Sequence, residues 1–417
     1  MLSRRAVAPL LVLTLIVNSV QPASACIWDS DTLAAEAKGL PEVVAIIVGR
    51  FDRQPPKYYE MRLERVTKLL AEDPSNLEAY DDAGASCDRL GRGDEAIAWM
   101  ERKKSVLDQA DADDPEIEQH RYRYLANVGT FWVHRWFKNG ADREQLDEVR
   151  TARDFIAQAI ELNPEAHFGR EKYQLLALDL ILREPPAPTA GEEPRWFRMP
   201  SLLDVDGERF EALDRLTNEG ALEKAGIPDA VRGLTGLIAM GNAWESVDVY
   251  YALAQALQAE GRSSLAHLAS ARMNELITAG RGSVVAGAPR KFALIEWADL
   301  RHPLEDRSVE MLDAFYHKAR QSADEWHTRR TEYMEQQLDA GRHPDTHPDF
   351  WKSWNDKPAL PALPAIAGRP DLDDIARRGA FMARLALAVG ALAAIGLGLA
   401  IVGVLAFRRT TSSPKAN

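Results

Sequence analysis

Seven residues near the C-terminal end, His343-Pro344-Asp345-Thr346-His347-Pro348-Asp349, set two imidazoles and two carboxylates close together. Neutral imidazole and carboxylate are ordinary ligands of divalent metals, so a metal-dependent activity would rest on His343, Asp345 and His347. Pro344 and Pro348 forbid the helix that would bring both rings to one face, which makes a polar turn after a helix the plainer expectation. The chain has no HExxH, no GxSxG, no phosphate-binding glycine loop and no second cysteine pair. Metalloprotease, hydrolase and nucleotidase chemistry therefore find no support, and neither catalysis nor a cofactor is expected. Cys26 and Cys87, the two cysteines, allow a single disulfide in an oxidising compartment, or two separate thiols with Cys87 in the core.

The elements that would position these groups are bounded by two apolar segments. Residues 1–25 read as a secretory leader, with Arg4 and Arg5, an apolar run from Ala6 to Val17, and Ala23-Ser24-Ala25 as the cleavage site. Cleavage there leaves Cys26 first, where a lipid could be attached, although Ala23 stands where a lipid-attachment signal has a large aliphatic residue. Leu385 to Phe407 holds no charged residue over 23 positions, enough for about 34 Å of helix and hence for one membrane span. Arg408, Arg409 and Lys415 follow it in the tail 408–417, and the body is expected outside the cytoplasm. The net charge of −12, with 63 acids against 51 bases, excludes nucleic acid as the partner, since phosphate binding needs a basic surface.

Between these ends the chain is expected to be all-α. Pro74-Ser75-Asn76 precedes a helix from Leu77 to Leu90, Gly91-Arg92-Gly93 forms a turn, and a second helix starts at Asp94. An earlier helix runs from about Tyr58 to Ala71. Tyr80, Ala83, Gly84 and Cys87 on one helix, with Gly91, Ala96 and Met100 after it, resemble the tetratricopeptide repeat. A looser match comprises Leu125, Val128, Gly129 and Trp132 followed by Ala152, Ile156, Ala159 and Pro164, and its Gly-to-Ala distance is 11 residues longer. A third comprises Tyr250, Leu253, Ala254, Leu257, Gly261 and Ala266.

The resulting plan is a helix-turn-helix solenoid: an N-terminal repeat region 26–184, a proline-rich linker 185–200, a second repeat region 201–340, a proline-rich tether 341–384, and the span 385–407. The second region closes with one long helix from Pro303 to Ala340, whose apolar stripe is interrupted by Arg330. The resemblance implies a concave surface that holds a protein or peptide, and it would expose Glu78, Asp81, Asp88 and Arg89 there. Three of these four are acidic, which favours a basic peptide. Phe131, Trp132, Trp136 and Phe137 read as core between repeats, or as an aromatic binding patch.

Overall fold

The computed structural model describes residues 29–32, 39–111, 113–164, 170–183, 201–204, 220–241, 243–284, 304 and 306–366. Among these residues every regular element is helical. The helices are α1 (Val43–Val48), α2 (Pro56–Glu72), α3 (Leu77–Arg89), α4 (Gly93–Leu107), α5 (Pro115–Lys138) and α6 (Asp147–Leu162). They continue with α7 (Arg170–Leu182), α8 (Ala221–Lys224), α9 (Ala230–Ala239), α10 (Val247–Ala259), α11 (Ser263–Thr278) and α12 (Asp306–Asp339).

Local chemistry explains the boundaries. Asn76 opens α3 by accepting the N–H of Ala79 at 3.0 Å, and Ser246 opens α10 by accepting that of Val249 at 3.3 Å. Asp114 caps α5 through the N–H of Glu116, with Pro115 at the first helical position. Between α3 and α4 and between α10 and α11, Gly91 and Gly261 take φ of 71° and 72°, the left-handed geometry that reverses the chain without strain on a side chain.

Each helix packs on its successor from α2 through α7, then α7 on α9, α9 on α10, α10 on α11 and α11 on α12. The long α12 then packs on α2, so the succession of contacts returns to its starting point. Helix α1 sits against α9, α11 and α12, away from the α2 that follows it in sequence. Among the described residues five apolar clusters fill the interfaces, one of them, Tyr58 with Met334, Leu338 and Phe350, between α2 and the end of α12. The largest joins α1, α7 and α9 to α12, a second joins α2 to α5, and a third joins α5 to α7. A Cβ on Gly84 would lie 2.8 Å from Met100 and 2.9 Å from Phe131, so this glycine is what lets α3 approach α4 and α5.

The helix expected over Leu77 to Leu90 and the long helix expected over Pro303 to Ala340 are found as α3 and α12. Arg330, the break in the stripe of α12, is 3% exposed. It donates to the carbonyl of Arg53 and to Gln54 Oε1, with Asp52 at 3.2 Å. The extra length in the second repeat match goes into the 24-residue α5 and the turn after it. The first part of the expected tether is instead part of the body. Phe350 is 1% exposed, Leu360, Leu363 and Ile366 pack on the main core, and Arg50 donates to the carbonyls of Asp356 and Pro358, both at 2.7 Å. Prolines there prevent a helix but not burial of the apolar residues between them.

The leader, Cys26, the linker 185–200 and the apolar Leu385 to Phe407 lie outside the described residues. Among the described residues no helix is long and apolar enough to cross a membrane.

Candidate functional site

A cavity of about 1250 Å³ opens between the two halves of the helical circuit. The end of α3, one face of α5 and of α7, the end of α9 and the start of α10 wall it. On α5, Thr130 and His134 lie one turn apart and face the cavity, followed by Phe137 and Lys138 at its mouth. His134 Nδ1 sits 2.9 and 3.0 Å from the two oxygens of Asp88, whose side chain is 2% exposed. A carboxylate accepts, so Nδ1 carries the proton that bonds Asp88.

Across the cavity, Gln174 of α7 is 8% exposed. Its Nε2 donates to Thr130 Oγ1 at 3.0 Å, and that hydroxyl donates to the Ala126 carbonyl at 2.8 Å. Gln174 Oε1 is left buried with no protein donor. A buried acceptor in that condition costs about 1–3 kcal/mol. Five acids and five bases besides His134 line the cavity: Asp88, Asp94, Glu95, Glu245 and Asp248 against Arg92, Arg135, Lys138, Arg143 and Arg281. Charge alone thus gives no preference for a basic partner.

A smaller cavity of about 270 Å³ lies where α2, the end of α3, α12 and the turn after α12 meet residues 29–32. Its centre is Arg62, 1% exposed. Arg62 Nε and Nη2 donate to Asp345 at 2.8 and 2.6 Å, while Nη1 and Nη2 each donate to Asp31 at 2.9 Å. Asp29 stands 3.5 Å away, Tyr58 bonds both Arg62 and Asp31, and Arg65 donates to Asp345 at 2.6 Å. Ser30 bonds Asp82 through both its backbone N–H and its hydroxyl, each at 2.8 Å. Burial raises the Asp345 carboxyl, but the Arg62 hydrogen bond and charge outweigh it and bring Asp345 down to about 2. Asp29 moves the other way, to about 7, by burial and by the charge of Asp31 beside it.

These directions carry a sign. Asp29, raised above the ordinary 3.8, adds stability that is complete below that value and is lost as pH rises through about 7. Asp29→Asn is accordingly expected to gain melting temperature relative to wild type between pH 5 and pH 8. Thermal unfolding at both values measures this, and a difference that shrinks with pH would contradict the burial of Asp29.

The four residues expected on one concave surface are distributed over different environments. Asp88 lines the large cavity, whereas Arg89 lines the small one and donates to the Met240 carbonyl at 2.9 Å. Glu78 is exposed, 3.6 Å from Arg123. Asp81 does not face a groove: it is 3% exposed, roofed by α5, and holds Lys103 at 2.6 and 2.7 Å and Asn127 at 3.0 Å. Burial pushes Asp81 up and Lys103 down, and their mutual contact, with the Asn127 amide on Asp81, offsets that cost.

His343, Asp345 and His347 do not converge on a metal position, and among the described residues no group of three such side chains does. His343 Nε2 donates to the Tyr58 carbonyl at 3.1 Å, its Nδ1 accepts the N–H of Asp345 at 3.2 Å, and Asp345 is taken by the two arginines. The segment is a turn that braces α12 against α2. Cys87 is a fully buried free thiol in the second core cluster, raised to about 12 by burial. Of the aromatic group on α5, Phe131 and Trp136 are core at 0% and 4% exposure, while Phe137 is 41% exposed at the cavity mouth.

Two polar residues in apolar stripes are signals that the sequence did contain. Arg62 falls in the run Tyr58, Val66 and Leu70, and Lys103 in the run Ala96, Met100 and Leu107. No family model, curated protein or solved structure matches the chain.

Proposed function

We propose that the chain is an exported scaffold, tied to a membrane through Leu385 to Phe407, which holds a protein or peptide segment in the large cavity and performs no chemistry itself. Its body is read as a tetratricopeptide-like array in which α3 with α4, α5 with α6 and α10 with α11 are the two-helix units. The observation that carries the binding role is the cavity itself, about 1250 Å³ in volume and wide enough for a chain segment, with Phe137 41% exposed on its lining. Phe137 supplies apolar area that a ligand would bury.

Photocrosslinking from two exposed positions tests the reading. A photoreactive residue in place of Phe137, at the mouth, is expected to give a discrete polypeptide adduct in native membranes, while the same residue in place of Leu162, equally exposed outside the cavity, is not. The same adducts from both positions, or none from Phe137, would sink it. Removal of Leu385 to Phe407 is expected to release the chain from membranes into the alkaline-soluble fraction; retention would remove the anchor from the proposal.

A further inference from the structure

We infer that residues 29–32 form a strap whose docking on α2 and α3 takes up a proton at Asp29, so that the strap opens more readily as the medium turns from acid to neutral. The strap lines the small cavity, and the inference stands apart from the binding role proposed for the large one.

Two helices hold the strap. From α2, Arg62 donates twice to Asp31, each time at 2.9 Å, and the Tyr58 hydroxyl bonds the same carboxylate. From α3, Asp82 accepts the N–H and the hydroxyl of Ser30, each at 2.8 Å. Asp29 folds back to accept the N–H of Thr32 at 2.8 Å, and both residues are 5% exposed.

A count of donors separates Asp29 from the other acids. A guanidinium has five N–H groups. Arg62 gives two to Asp345 and two to Asp31, which leaves Asp29 a contact of 3.5 Å with Nη1. Arg65, the second cation, donates to Asp345 at 2.6 Å and stands 3.8 Å from Asp82. On the other walls, Arg330 is paired with Asp52, Arg89 donates to the Met240 carbonyl, and His343, which burial lowers, donates to the Tyr58 carbonyl. Four carboxyls thus meet two arginines, and Asp29 is the one left with a single short hydrogen bond, from a neutral N–H. Its ionised form is poorly compensated where it lies, and burial with the charge of Asp31 raises it to about 7. Out in water the carboxyl returns to the ordinary 3.8. The docked strap therefore holds a proton that the open strap gives up between these values. Opening becomes easier by about tenfold per pH unit across that window and levels off above it.

The test uses the full chain in detergent with Thr32→Cys, alone and together with Asp29→Asn. Modification of the new thiol by a small maleimide is followed from pH 5 to pH 8 by tandem mass spectrometry. Asparagine has no proton to lose, and the rate with aspartate divided by the rate with asparagine cancels the titration of the thiol itself. This ratio is expected to rise by at least about tenfold over the range. A ratio that is flat, or that falls with pH, would overturn the inference. Cys87, fully buried in the second core cluster, reports opening of the body in the same sample. It should react far more slowly than the thiol at position 32, and equal rates would mean that the strap leaves only when the body unfolds, which also overturns the inference. Amide exchange over residues 29–32 with the natural Thr32, corrected for its intrinsic pH dependence, gives the same ratio and decides the case if Thr32→Cys does not fold.

Discussion

Arg62→Met is expected to lower the unfolding free energy by about 3–5 kcal/mol, the loss typical when one partner of a buried ionic network is removed. Methionine matches the length of the stem but leaves Asp29, Asp31 and Asp345 facing one another without the guanidinium that bonds or approaches all three. Chemical denaturation of the full chain in detergent measures the loss. It should be smaller at pH 5 than at pH 8, because Asp29, raised to about 7, is then neutral, while Asp345, lowered to about 2, stays charged on Arg65. A loss below about 1 kcal/mol would mean that the arginine is spectator to a junction held by packing alone.

Lys103→Met is expected to cost a similar amount, about 3–5 kcal/mol, for a related reason in a different place. Lys103 is 0% exposed, and without it the Asp81 carboxylate keeps, among the described residues, the Asn127 amide as a donor inside the wedge between α3, α4 and α5. The double variant Asp81→Leu with Lys103→Met should recover most of the loss, since an apolar pair of similar volume carries no desolvation penalty. Denaturation of the two singles and the double gives the coupling directly. Additive effects would show that the two residues act separately despite their 2.6 Å contact.

Much of the helical order was legible because it is written locally. Asn76 as a cap, Gly91 as a reversal and the three-four spacing of Tyr80, Ala83 and Cys87 each state α3 and its turn within a few residues. The return of α12 to α2 has no such local statement. It is carried by Arg62 with Asp345, 283 positions apart, and by Tyr58 against Met334, Leu338 and Phe350; the apolar stripe marks Arg62 as buried but does not name its partner. The site divides in the same way. Asp88 stands out on α3, but the His134 that gives it meaning is 46 positions away, and the buried Gln174 is harder still to find. Helix α7 is covered on nearly every side, with Tyr173, Leu176, Leu178, Leu180 and Ile181 all inside, so it has no polar face against which a buried glutamine would look anomalous. Asp81 was misread for a complementary reason: it shares a face with Asp88 two turns away, and only the course of α5 decides that one is roofed and the other opens on the cavity.

The return of α12 to α2 has a mechanical meaning. In an open stack of helical pairs the end units hold one neighbour each, so they fray first, and the stack stretches and relaxes like a spring. Here the first unit to come loose must part from neighbours on both sides, α2 from α3 and from α12. Amide exchange should then slow to a similar degree around the whole belt rather than fall off toward its ends. A hoop also holds its bore: if the proposed ligand enters the large cavity, it meets walls that a closed succession of helices keeps from spreading apart.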